Sequence, residues 1–141
     1  MAVTHRYETI VHAVDVCVVG GGMAGLIAAV SAARHGAKTL ILQDRPVFGG
    51  NASSEIRMWI CGARGADNKE TGLLEEILLA NYYRNPSLKY ALWDSVLYET
   101  ARFQPNLEML LNCACTEVST EGETITAVKG WQLTTQQWHS V

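Results

Sequence analysis

Three glycines, Gly20, Gly22 and Gly25, stand at G-x-G-x-x-G spacing within Gly20-Gly21-Gly22-Met23-Ala24-Gly25. The chemistry such a pattern supports is the binding of a diphosphate by backbone. Gly20 permits a tight turn out of a strand. A side chain at Gly22 would keep a pyrophosphate off the main chain, and Gly25 lets the following helix lie close to the strand it leaves. With Met23 and Ala24 these residues form the start of a helix, where unpaired N–H groups and the helix dipole favour an anion. No basic side chain is needed.

The neighbouring elements are those that must position such a turn. Val14-Asp15-Val16-Cys17-Val18-Val19 is a β-branched run that predicts a strand buried on both faces. Leu26 to Gly36 is rich in alanine and predicts a helix, with Gly36 suited to a left-handed C-terminal cap. Lys38 to Gln43 predicts a second buried strand. Strand, glycine turn, helix and strand in this order are the context that gives G-x-G-x-x-G its meaning.

The end of the second strand ordinarily carries an acid for the adenosine ribose. Here that position is Gln43, followed by Asp44, so the ribose falls to one of these two. Arg45 adds the alternative of a cofactor with a 2′-phosphate, which leaves NADP open at this point. A second double glycine, Gly49-Gly50, then follows within Gly49-Gly50-Asn51-Ala52-Ser53-Ser54. A flavin dinucleotide has a use for it, because its pyrophosphate and ribityl chain run past this loop.

On these motifs the sequence resembles the FAD-dependent oxidoreductases of the glutathione-reductase-like superfamily, with two dinucleotide-binding domains. The stretch from Gly49 to Ala63 is similar to a bacterial subgroup of them, and the resemblance extends from about Val14 to Gln132. It implies an α/β, Rossmann-like FAD-binding domain with a parallel sheet, inserted helices and a C-terminal β-meander. It also implies that Gly20, Gly22 and Gly25 contact the FAD pyrophosphate. Gln43 or Asp44 would hold the ribose, and Gly49, Gly50 and Asn51 would line the pyrophosphate and ribityl region. Ser53 and Ser54 would lie toward the isoalloxazine, and the backbone at Cys115 would meet the adenine. Gln43 departs from the family, whose members usually carry glutamate there. The family would also continue past the meander with an alanine-threonine-glycine strand. That run does not occur before Val141, so residues 1–141 are expected to be the N-terminal portion of one FAD-binding domain, which alone holds FAD poorly and does not turn over.

The middle of the chain is expected to be scaffold. Ile56 to Lys69 predicts an irregular segment, and Glu55, Arg57 or Arg64 is expected beside the flavin or an anionic substrate, or else the loop is simply solvated. Leu73 to Arg84 and Leu88 to about Phe103 show helical spacing, with Ser87 as a cap and Glu99 paired to Arg102. Tyr82, Tyr83, Tyr90, Trp93 and Tyr98 are expected to pack. Leu107 to Leu111 predicts a third parallel strand. Thr116 to Thr120 and Thr124 to Val128 flank a glycine turn, and Gln132 to His139 adds a further strand.

Composition narrows the alternatives. Apolar residues make up 48% and charged residues 18%, a globular balance. Eleven basic against fourteen acidic residues give a net charge of −3, which speaks against a nucleic-acid partner. Cys17, Cys61, Cys113 and Cys115 include no CxxC, the histidines form no ligand set, and no metal is expected. Met1 to His12 holds no apolar leader, and no run reaches the roughly 18 residues of a membrane span. The expectation is a cytoplasmic protein with a small-molecule substrate, whose open sheet edge could associate into homo-oligomers. Three readings follow: the FAD-binding portion of an oxidoreductase, a nicotinamide-binding module, and a non-catalytic Rossmann-like domain.

Overall fold

A computed structural model describes residues 7–62, 66, 67 and 70–141. The described residues form seven strands and three α-helices: β1 (Thr9–Val11), β2 (Val16–Val19), α1 (Met23–Arg34), β3 (Thr39–Leu42), α2 (Gly72–Arg84), α3 (Tyr90–Arg102), β4 (Leu107–Leu110), β5 (Cys113–Glu121), β6 (Thr124–Gln132) and β7 (Gln137–Ser140). A short 3-10 turn, Gly50–Ala52, lies between β3 and α2.

The parallel sheet has the order β2-β3-β4, with Val16 opposite Thr39 and Thr39 opposite Leu107. All four residues of the central β3 are buried. Their alternation divides the molecule into layers. Ile41 joins one core with Leu26, Val30, Phe48, Ile77, Trp93 and Leu97, beneath the helices. Leu40 and Leu42 join the other with Leu110, Cys113 and Val128, beneath the meander. The expected burial of the first strand is corrected: β2 is only half-buried and Val19 is exposed, because β2 lies at the sheet edge.

The helix α1 buries Leu26, Ala29, Val30 and Ala33, one face at i, i+3, i+4 and i+7. Gly36 follows it with a φ of 93°, the left-handed geometry anticipated there. Arg34 donates two hydrogen bonds to Glu76 at 2.7 and 2.6 Å and ties α1 to α2. Ser87 does not cap the next helix. That helix begins at Tyr90, and the Asn85 side chain accepts from the Lys89 N–H at 2.8 Å instead. Glu99 pairs with Arg84 across α2 and α3, not with Arg102 on its own helix. Of the aromatics expected to pack, Trp93 is buried, but Tyr82, Tyr83 and Tyr98 are exposed.

The second sheet has the order β1-β7-β6-β5. Its meander is longer than the sequence pattern predicts, and the stretch from Gln132 to His139 divides into the end of β6, a turn, and β7. The strand β1 was not anticipated; three residues are too short for a period, and its parallel pairing with β7 is a long-range contact.

Leu97 is fully buried, and its Cδ1 lies 2.7 Å from where a side chain at Gly49 would begin. Replacing Leu97 with alanine should cost about 2–5 kcal/mol in urea denaturation. A cost under about 1 kcal/mol would mean that this core does not hold the loop above it.

Candidate dinucleotide site

At the end of β2 the chain turns through Gly20, whose φ is 107° and whose N–H donates to the Leu42 carbonyl at 2.8 Å. Gly22 is the N-cap of α1 with no side-chain cap, and the Leu26 N–H closes the first turn on the Gly22 carbonyl at 2.9 Å. The first turn of α1 carries no acidic residue. Each glycine has its own environment. A Cβ on Gly25 would stand 1.9 Å from the Gly20 carbonyl oxygen, so no side chain fits there. A Cβ on Gly20 or Gly22 would meet nothing within 4 Å. The packed face of the turn is therefore closed against side chains, and its other face opens outward with uncapped helix amides behind it. That is the geometry of an anion cradle.

Gly21 was missed by the motif, which leaves that position free. A Cβ there would meet Phe48 at 2.5 and 2.8 Å and Gln43 at 3.0 Å. The signal was the unbroken run of three glycines. Gln43 is 4% exposed; its Oε1 accepts from the Gly21 N–H at 2.8 Å, and its Nε2 donates to the Val47 carbonyl at 2.9 Å. Gln43 is thus a buried brace between the glycine turn and the loop after β3. Asp44 beside it is exposed. Arg45 donates to Glu55 at 2.9 Å, and that hydrogen bond holds its guanidinium above the ordinary arginine value.

The second double glycine meets the first turn directly. The Gly49 N–H donates to the Gly21 carbonyl at 2.8 Å, and Gly22 and Gly49 form an isolated parallel bridge. Gly49 has a φ of 105° and Gly50 of 55°. A Cβ on Gly50 would come within 3.2 Å of the Gly22 Cα. Sequence positions 20–25 and 49–50 form one backbone platform, and Asn51 lies exposed just past it. Ser53 is buried, donating to the Gly50 carbonyl at 2.7 Å, and the Ser54 N–H donates to Asp94 at 2.9 Å. The Trp93 indole N–H donates to the Ala52 carbonyl at 2.8 Å. Trp93 and Asp94 of α3 therefore hold the loop from behind, a role no local motif signals.

Other candidates lie elsewhere. Cys115 stands on β5 opposite Gly130, packed against the Leu40–Val128 core. Burial, and then the neighbouring Cys115, push the Cys113 thiol up to about 11 and raise that of Cys17 as well. Both remain protonated near neutrality. Among the described residues no cluster could hold a metal ion. Arg57, with a φ of 63°, donates to the Ser54 carbonyl at 3.0 Å and sits over the Tyr90 ring. Arg64, Gly65, Asn68 and Lys69 lie outside the described residues. A cavity of about 300 Å³ opens behind Ala52, against Trp93 and Asn81, and no residue of the glycine turn lines it.

A parallel sheet whose strand feeds a glycine turn and a helix start defines a Rossmann-like nucleotide-binding domain. Comparison with known proteins takes this further. The family profile of FAD dependent oxidoreductases matches residues 15–140, and the chain belongs to that family. It is 56% identical over 39 residues to a fumarate reductase (cytochrome) of Shewanella frigidimarina, a match covering 28% of this chain and 7% of that protein. In fold it is similar to the L-proline dehydrogenase of P. horikoshii, with a TM-score of 0.53 and 20% identity over 96% of this chain and 22% of the other. It is also similar to a p-nitrophenol 4-monooxygenase of Pseudomonas putida DLL-E4, with a TM-score of 0.51 and 17% identity over 94% of this chain and 39% of the other. The chain thus spans only a minor part of the length of these proteins.

The second and third glycines of the motif make opposite predictions. Gly22 has φ −62° and ψ 175°, open to any residue, so Gly22→Ala should keep its melting temperature yet lose most of its flavin affinity. Gly25→Ala should lower the melting temperature even without nucleotide. Equal behaviour of the two variants in thermal melts and flavin titration would contradict the division between an open and a packed face.

Proposed function

We propose that this chain binds FAD with the diphosphate on the platform formed by Gly20–Gly25 and Gly49–Gly50, as the nucleotide-holding part of an oxidoreductase. The observation that carries this is the direct docking of the second double glycine on the first turn. An extended dinucleotide crosses both loops, and both are bare of side chains where it would pass. When bound, FAD supplies the hydride-accepting chemistry; the protein supplies position and electrostatics. The amides of Met23, Ala24 and Gly25 face the phosphates, and the exposed Asp44 receives the ribose, since Gln43 is committed to Gly21 and Val47. Asn51 and the Ser53-Ser54 backbone continue toward the isoalloxazine, and the Cys115 main chain meets the adenine. The substrate is a small molecule, and no residue described here is assigned to its chemistry. Residues 1–141 alone hold the flavin weakly and do not turn over, a reading supported by the small share of its relatives that the chain spans.

The pairing of Arg45 with Glu55 speaks against NADP, because the guanidinium already has a carboxylate partner. No helix among the described residues is long and apolar enough to cross a membrane. We assign the protein to the cytoplasm, a reading that the free Cys17, Cys61, Cys113 and Cys115 support.

Fluorescence titration with FAD, NAD and NADP tests the assignment. FAD should bind at least tenfold more tightly than either nicotinamide nucleotide, a difference of about 1.4 kcal/mol. Tighter binding of NAD or NADP would replace this function with a nicotinamide module, and binding of none would leave a scaffold only.

A further inference from the structure

The cavity behind Ala52 is walled by α2, α3 and the segment that follows the 3-10 turn. At about 300 Å³ it stands at the lower end of ligand pockets, which run from roughly 300 to 1,000 Å³. Its wall is mainly aromatic and aliphatic. The buried Trp93 forms the floor, and Trp59 and Tyr82, 77% and 62% exposed, stand at the mouth. None of the lining residues is charged. Arg57, which sits over the Tyr90 ring and donates to the Ser54 carbonyl, is not among them.

The buried and half-buried polar side chains of this wall are engaged, Asn81 apart. The Trp93 indole N–H is taken by the Ala52 carbonyl, and the Tyr90 hydroxyl donates to the Arg57 carbonyl at 2.7 Å. Asn85 is 1% exposed, and its oxygen accepts from the Lys89 N–H at 2.8 Å. Its Nδ2 donates to the Lys89 carbonyl at 2.9 Å and to the Asn81 Oδ1 at 3.0 Å. Both amide hydrogens of Asn85 are thereby used, and they fix the next amide: a turned Asn81 would set NH2 against NH2. The Asn81 Nδ2 then has two hydrogens and no acceptor among the described residues. Asn81 is 8% exposed and lines the cavity; since no sealed side-chain nitrogen among the described residues lacks a partner, this one opens into that space. Leucine would suit the position better on both helix propensity and burial.

We propose that this cavity is a binding site for a neutral, flat, largely apolar molecule with a carbonyl-type oxygen, which accepts from the Asn81 Nδ2 while the body packs on Trp93 between Trp59 and Tyr82. Each part of that description has its cause in the wall. The ligand carries an acceptor because Asn81 offers only hydrogens there. It is neutral because a carboxylate would leave water and meet no opposite charge. It is flat because indole and phenol rings present faces and edges to pack on. The site is built by α2 and α3 and needs no flavin, so it stands independently of the dinucleotide reading.

Acetophenone, a neutral aromatic ketone, is the probe. Titrated into the whole chain without FAD and followed by NMR, it should shift the Asn81 side-chain amide and the Trp59 and Trp93 indoles, with millimolar affinity. Benzoate, similar in size but charged, should bind about tenfold more weakly. Asn81→Asp keeps an oxygen for Asn85 and offers the cavity no hydrogen, so acetophenone should bind it about tenfold more weakly. The Asn81 amide shift and the benzoate comparison need no variant, and they decide the matter even if the aspartate chain fails to fold. Gly22→Ala should bind acetophenone like the unaltered chain, which separates a failure of this site from a failure of the flavin platform. No binding of acetophenone up to its solubility limit would overturn the proposal, as would equal binding of benzoate or an affinity unmoved by Asn81→Asp. So would shifts of the same residues on raising the protein concentration without ligand, which would make a second copy of the chain the occupant.

Discussion

The close approach of the Gly20 carbonyl to Gly25 is the constraint on which the site depends. An oxygen 1.9 Å from any Cβ at Gly25 leaves hydrogen as the only substituent that fits. That contact lets α1 start close against the turn at the end of β2, with no side-chain cap on its first amides. The same requirement recurs one layer out. Gly49 donates to the Gly21 carbonyl where a Cβ of its own would meet Leu97 at 2.7 Å, and a Cβ on Gly50 would come within 3.2 Å of the Gly22 Cα. The platform is backbone against backbone, and its binding surface is what remains exposed once those contacts are made.

The rest of the fold holds this platform in place. Phe48 fills the space under Gly21, and Leu97 fills the space under Gly49. Gln43 ties the turn to the loop after β3 through two hydrogen bonds, and leaving the buried Gly21 N–H unpaired would cost about 1–3 kcal/mol. Trp93 and Asp94, one turn into α3, anchor the loop backbone at Ala52 and Ser54. The helices between β3 and β4 therefore have a task beyond filling volume. On the opposite face of β3 the meander packs through Leu40 and Leu42, and His12, beside Glu108 and His139, joins its far edge to β4.

Much of this was legible in the sequence where one local feature decided the outcome. The glycine turn, α1, β3, the left-handed Gly36 and the hairpin about Gly122 follow from spacing and backbone freedom alone. What was illegible depends on distant partners. Gln43 looks like a ribose ligand by position, but its side chain faces Gly21, twenty-two residues away in the chain. Glu99 has a helical neighbour in Arg102, yet Arg84 on the adjoining helix reaches it with two donors. Val14 to Val19 has the composition of a central strand, while its place at the edge is fixed by which strands pair with β3. Ser53 has the polarity of a ligand and spends it on the Gly50 carbonyl.

Amide shift mapping by NMR during addition of FAD addresses the central claim most directly. The largest and earliest shifts should fall on the backbone N–H groups from Gly20 to Gly25 and from Gly49 to Asn51, with β5 beyond Cys115 little changed. Shifts concentrated in the cavity behind Ala52 or along the meander, with the Gly22 to Gly25 amides unmoved, would contradict the account.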